Sequence, residues 1–427
     1  MPPEKQHNNL TSWKQIAEFL GVSERTAQVW EEERGLPVRR LTGSKGRVSA
    51  QTADLERWMK ANTKPAPWYG NLKVLRYYSV VATALALLAF GVLLGIYLMA
   101  NRHGPPANYR LDFNNLAVSD ADGREIWRYP FPYPFKRNVY LEEEHNINRR
   151  FWCDTLYDGD RRKFIIFNYY STNVAKSGTT LYCFSQSRDV LWSWSPGRAV
   201  SDLKRSYSSL YSTTDFHVCG LEPGGPKRIL VTSHHISAAP NQFAILGASG
   251  TVLKEYWHSG QFDCMEVEDP DGDGIPDIYL AGLNNGYGCA TVVVLDPRQV
   301  DGASDQPSGD TNQLQGFKSG TEKAIILFPH SCVNRAHKES GFVRRLDVMK
   351  TSIEADIWEI GSDGNASVKY IFDINLQLKQ VIYSDWLKVL HNQMYQKGEL
   401  DHAYSDADEA DLFRQVKVIW KDARVSK

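Results

Sequence analysis

Between Arg76 and Arg102 the sequence has no charged residue, and before Cys153 it has no cysteine. Over 427 residues its charges nearly cancel, 49 Lys+Arg against 50 Asp+Glu. Compositional extremes are missing too: 42% apolar and 23% charged residues exclude a disordered, collagen-like or wholly membrane-embedded chain. There is no G-x-S-x-G, HExxH, Walker-loop or kinase signature, and His217, His234, His235, His330 and His337 are scattered. The expectation is therefore a protein that is not an enzyme. A net charge of −1 would argue against a nucleic-acid partner, but only if the charge were evenly spread.

The uncharged stretch divides the chain. Tyr77 to Asn101 is twenty-five residues long, and at about 1.5 Å rise per residue it exceeds the roughly 30 Å hydrocarbon core of a bilayer. Its middle, VVATALALLAFGVLLGIYLMA, offers no polar face for a core helix, and a cleaved signal would not follow so long a polar segment. A single transmembrane helix over 77–101 is expected, with Tyr77, Tyr78 and Tyr97 at the interfaces. Lys60, Lys64, Lys73 and Arg76 precede it, whereas only Arg102 and Arg110 follow closely. That asymmetry places the N-terminus in the cytoplasm and residues 103–427 outside the cell membrane. Counted by side, residues 1–76 hold 13 Lys+Arg against 8 Asp+Glu, net +5, and the remainder is net −6. All six cysteines (Cys153, Cys183, Cys219, Cys264, Cys289, Cys332) fall on the outer side, where disulfides are permitted but their pairing is not legible.

Within residues 10–60, Ser12 caps a helix with Trp13, Ile16, Ala17, Phe19 and Leu20 on its apolar face, and Gly21 ends it. Ser23 caps a second helix, Glu24 to Glu33, with Ala27 and Trp30 inward and Arg25, Thr26 and Gln28 outward. Leu36-Pro37-Val38 leads into a basic hairpin of Arg39, Arg40, Lys45 and Arg47 around Gly43 and Gly46. A third helix, Thr52 to Lys60, packs through Leu55, Trp58 and Met59. This order, carried by IAEFLGVSERTAQVWEEERGLPVRR and DLERWMK, resembles the MerR/excisionase-like winged helix-turn-helix family. The resemblance implies DNA binding, with Ser23, Arg25, Thr26 and Gln28 on bases or backbone and Arg39, Arg40, Lys45 and Arg47 on phosphates. The run Glu31-Glu32-Glu33 must then turn away from DNA, and so few phosphate contacts favour a homodimer. Residues 61–76, with Pro65, Pro67 and Gly70, read as a juxtamembrane linker.

Beyond the span, β-branched and aromatic residues with Gly/Asp turns predict an all-β domain over 103–427. Two elements alternate there. A strand–turn–strand unit recurs at 117–132, 183–197 and 244–260. A Cys-bearing strand, an acidic or Gly-rich turn and an apolar strand recur at 151–167, 216–231 and 262–280, with a degenerate copy at 330–348. Four-strand units of this kind predict a β-propeller of about five blades, the fifth combining strands of 109–132 with C-terminal strands; six or seven blades, a β-sandwich or an irregular solenoid are the alternatives. YSDWLKVLHNQMY reads as helix, and 401–411 as an exposed acidic stretch. Cys153, Cys219, Cys264 and Cys332 occupy equivalent repeat positions and read as small buried residues.

The turn DPDGDGIPD (269–277) places the carboxylates of Asp269, Asp271, Asp273 and Asp277 at loop positions 1, 3, 5 and 9, with the Ile275 carbonyl at 7. Such an oxygen set suits Ca²⁺. Leu280 at the twelfth position departs from an EF-hand, but the loop and the following DIYLAG resemble the calcium loops of FG-GAP/VCBS-type propeller repeats. The resemblance implies one structural calcium ion. The related turn Asp158-Gly159-Asp160 lacks outer carboxylates, and no metal is expected there. The strand DVLWSW resembles quinoprotein dehydrogenase blades, without their cofactor-binding set.

Together these readings predict a membrane-anchored one-component transcriptional regulator, with DNA, the membrane, an exterior ligand or protein and a second copy of itself as partners. The alternative is an exterior binding or adhesion propeller whose cytoplasmic domain makes protein contacts.

Overall fold

The computed structural model describes residues 9–40, 47–63, 72–100, 103–141, 149–157, 159, 161–359 and 366–421, and it divides between Arg102 and His103 into two compact units. The first unit begins with β1 (Asn9–Leu10), α1 (Trp13–Leu20) and α2 (Glu24–Arg34), followed by β2 (Arg39–Arg40), β3 (Val48–Gln51) and α3 (Thr52–Asn62). Ser12 and Ser23 cap α1 and α2 by accepting the Gln15 and Thr26 amides, and Gly21 turns the chain between them at φ 69°. The strands form an antiparallel sheet in the order β1-β3-β2. Ile16, Ala17, Leu20, Ala27, Leu36, Val48, Ala50 and Leu55 make its core, closed by Trp30 and Trp58 with ring centroids 5.5 Å apart. Phe19 and Met59, expected on packing faces, are instead 37% and 39% exposed. In so short a helix the Ile16–Leu20 stripe already fills the core side. Trp58, the other expected packing residue of α3, donates to the Arg34 carbonyl at 2.9 Å.

α4 (Leu72–Ala100) follows. Its stretch Arg76–Tyr97 is 22 residues of exposed helix, long and apolar enough to cross a membrane by length and composition. Leu72 to Arg76, expected in the linker, are helical. Lys64, Pro65, Pro67, Gly70 and Asn101 lie outside the described residues.

The second unit is mostly β-sheet. Its first sheet is β4 (Asn108–Asp112), β5 (Asn115–Ser119) and β6 (Glu125–Pro130), with a short α5 (Asn138–Leu141) after it. The second is β7 (Phe151–Asp154), β8 (Phe164–Tyr169), β9 (Thr180–Ser185) and β10 (Val190–Trp194), with α6 (Val174–Ser177) between β8 and β9. A ribbon of β11 (Val200–Ser201) and β12 (Ser206–Tyr207) leads to the third: β13 (Tyr211–Cys219), β14 (Arg228–His235), β15 (Asn241–Leu246) and β16 (Val252–His258). The fourth is β17 (Gln261–Glu268), β18 (Asp277–Asn284), β19 (Cys289–Leu295) and β20 (Glu322–Leu327). After α7 (Cys332–His337) comes the fifth: β21 (Phe342–Val348), β22 (Ile353–Trp358), β23 (Ser367–Phe372) and β24 (Leu378–Tyr383). The chain ends in α8 (Asp385–Gln396), α9 (Asp406–Gln415) and β25 (Lys417–Trp420).

Each sheet is an antiparallel meander, and the five pack face to face in series. Side-chain alternation along the strands makes this possible, because successive residues serve opposite faces. Ile165 and Phe167 face the first sheet while Ile166 faces the third. Ile229 and Val231 face the second sheet while Leu230 faces the fourth. Ile278 and Leu280 face the third sheet while Tyr279 and Ala281 face the fifth. Strands buried on both faces read as unbroken apolar runs, such as CATVVVL in β19.

This propeller-like series departs from expectation in three places. The C-terminal strand β25 does not join β4–β6; it adds a fifth strand beyond β20, with Ala324 opposite Trp420. The first sheet keeps three strands, and its outer face carries Arg110, Asp112, Glu125 and Arg128. Cys332 is not on a first strand as Cys153, Cys219 and Cys264 are, but opens α7. The predicted helix near the C-terminus is α8. The acidic stretch after it, 401–411, is mostly exposed as expected, with Asp408 of α9 its one buried residue.

Candidate functional site

The acidic loop joins β17 to β18. One carboxylate oxygen each from Asp269, Asp271 and Asp273 lies within 4.8 Å of the others. Backbone amides hold them there: Gly272, Asp273 and Gly274 donate to Asp269 at 2.8, 3.1 and 2.9 Å. Asp273 also donates to Asp271 at 3.2 Å, and Ile275 to Asp273 at 2.8 Å. Gly272 and Gly274 take φ 73° and 86°, which side chains rarely adopt. Desolvation pushes the Asp269 carboxyl up, but the amides of Gly274, Gly272 and Asp273 outweigh it and hold the group below its usual range. Asp277 is not brought into this cluster. It begins β18 and bonds Lys323 of β20 at 2.6 and 2.8 Å, so its charge is already matched. In the related turn, Asp158 and Asp160 lie outside the described residues.

On the first unit, Arg25 and Gln28 of α2 are exposed, and Thr26 is half-buried. Ser23 spends its hydroxyl on the α2 cap, where it also lies 2.7 Å from the Thr26 hydroxyl. Arg39 and Arg47 are exposed across the β2–β3 pair, with Arg39 opposite Ser49. Arg40 is committed to Glu31 at 2.9 Å, a pair that turns one member of the acidic run toward the hairpin. Lys45, Gly43 and Gly46 lie outside the described residues.

No family model matches the chain, and no curated protein matches it. Solved structures align weakly. BBS1N in complex with ARL6DN is 12% identical over 66% of this chain and 69% of that one, with a TM-score of 0.34. BamB from Moraxella catarrhalis is 10% identical over 66% and 62%, TM-score 0.30. The Pseudomonas aeruginosa PilY1 C-terminal domain is 12% identical over 64% and 57%, TM-score 0.37. Values this low assign neither family nor function.

Two features of the second unit were not foreseen. Asp215 and His217 of β13 are buried, bonded at 3.1 Å, and joined by Arg149 on its amide and guanidinium sides. On β17, burial pushes the carboxyls of Asp263 and Glu266 up. A surface cleft of about 560 Å³ is lined by Tyr287, Phe328, His330, Arg335, Arg414 and Lys417, a cationic set suited to an anion. Neither had a sequence signal, because each draws on separate elements. The six cysteines form no disulfide; burial pushes the Cys183 thiol up to about 12 and the Cys153 thiol up to about 11.

Proposed function

We propose that the chain is a membrane-anchored one-component transcriptional regulator. In this reading the first unit is a winged helix-turn-helix that binds DNA in the cytoplasm, α4 crosses the membrane once, and the second unit is an exterior propeller that senses a ligand or partner. The observation that carries it is the exposure of Arg25 and Gln28 on α2 and of Arg39 and Arg47 at the β2–β3 hairpin, in one chain with an α4 that carries no charge from Tyr77 to Ala100. A lone module with so few cations binds weakly, so DNA occupancy reports pairing of two copies, and exterior ligand acts by changing that pairing. The cationic cleft is the natural place for an anionic ligand.

The test is a mobility shift with the full chain in detergent on promoter fragments at graded salt. Salt-dependent binding that Arg25→Ala with Arg39→Ala removes supports the regulator; no shift at any salt overturns it. The Glu31–Arg40 pair favours a second reading, an adhesion propeller whose inner domain contacts protein, since it withdraws a cation from phosphate. That reading predicts no shift.

The acidic loop is proposed to hold one structural Ca²⁺ through Asp269, Asp271, Asp273 and the Ile275 carbonyl, as the likeness to FG-GAP/VCBS loops implies. Three carboxylates held this close repel one another, and a divalent ion relieves that repulsion. Calcium should raise the Tm of the wild type over chelator and leave Asp269→Asn unmoved; equal shifts in both would refute the site.

A further inference from the structure

Cys332 opens α7, His391 lies in α8 and Asp408 in α9, and one ligand atom from each lies within 4.8 Å of the other two. His391 is fully buried, and Cys332 and Asp408 are each 9% exposed. The Cys332 sulfur is 3.1 Å from His391 Nδ1, while His391 Nε2 is 3.1 Å from the His402 carbonyl oxygen. A carbonyl can only accept, so Nε2 carries the hydrogen and Nδ1 presents its lone pair to the cluster. Imidazoles that ligate metals are oriented in this way from behind. Asp408 is oriented as well: His402 Nε2 lies 2.8 Å from Oδ1, and the Ser405 amide donates to Oδ2 at 2.9 Å. Each carboxylate oxygen keeps a further lone pair.

We propose that Cys332, His391 and Asp408 form a zinc site that fastens α8 and α9 to α7 beside the last sheet. The donor set selects the metal. Thiolate disfavours Ca²⁺ and Mg²⁺, and thiolate, imidazole and carboxylate together are donors that Zn²⁺ accepts, with a fourth position left over. On binding, the Cys332 S–H bond breaks, a sulfur–zinc bond forms, and the proton leaves to solvent. His402 is a positioning residue that acts through Asp408 and, by its carbonyl, through His391. Apolar packing around the site is already in place, since Leu387, Met394 and Leu412 of the two helices share a cluster with Val381 and Tyr383. The site is distinct from the all-oxygen loop at Asp269, and does not depend on the regulatory reading.

The full chain in detergent, kept reduced with a non-chelating phosphine, is titrated with Co²⁺ and then with Zn²⁺. The expected result is a thiolate-to-cobalt charge-transfer band with tetrahedral d–d bands, displaced by zinc. Cys332→Ser should abolish it, Asp269→Asn should leave it intact, and His402→Gln should weaken zinc roughly 10–100-fold. No band in the wild type, or an unchanged band in Cys332→Ser, overturns the site and leaves a buried thiol–imidazole hydrogen bond. Should Cys332→Ser fail to fold, peptide mapping of alkylation in the wild type decides: zinc must slow labelling of Cys332 and not of Cys153, and equal labelling overturns the proposal.

Discussion

At Glu359 a carboxyl is 1% exposed, and burial pushes it up to about 7 against the pull of the Ser331 hydroxyl and the Arg335 charge. The unfolded chain releases that proton near 4.5. The neutral form therefore favours the folded state; its contribution is complete below the unfolded value and is lost as pH rises through the folded one. Glu359→Gln, which stays neutral, should gain thermal stability relative to the wild type as pH is raised between these values and hold the gain above them. A difference that does not change with pH would contradict this. Nothing near Glu359 in the sequence marks it, because its burial depends on α7, reached only through tertiary packing. Ser12 and Ser23 are the opposite case. Their capping roles were legible because the amides they accept lie three residues away.

Elements were legible where one face or one period sufficed. The alternation that makes β18 serve two cores can be read along the strand, whereas the partner of its edge cannot. Hence the expected pairing of C-terminal strands with 109–132 is not found, and β25 lies beside β20 instead. Its Lys421 neighbour explains part of its true place: the ammonium lies 2.9 Å from Glu322 and 2.7 Å from Asp305, and the Glu322 side chain is fully buried. Lys421→Met should cost roughly 3–5 kcal/mol by stranding the Glu322 charge, and adding Glu322→Gln should recover much of it; denaturant melts of both variants check this. For the pair joining α2 to β2, Glu31→Gln frees Arg40. If the unit binds DNA, the log–log salt dependence should steepen by about 0.9, one more phosphate neutralised, and a slope no steeper would show that Arg40 stays off the backbone. The Cys332–His391–Asp408 cluster had no motif to reveal it, since its members sit 59 and 17 positions apart on three helices.

For the whole molecule, the near-neutral charge conceals a positive piece and a negative one on either side of α4. Protease added to spheroplasts should degrade residues beyond α4 and spare the first unit; loss of the first unit instead would reverse the proposed orientation, and protection of both would abolish it. The five-sheet architecture was foreseen from repeats, but not how the series ends. At one end Arg128 pairs with Asp112 at 2.7 Å and Glu125 at 2.9 Å; at the other, Lys369 pairs with Glu354 at 3.0 Å. Faces between sheets are apolar, and an apolar face at either end would accept a sheet from another copy and then another. Charged ends forbid that addition, because each pair would have to be stripped of water. The number of layers is thus counted within a single chain, and crowded copies can lie side by side without growing into a fibre.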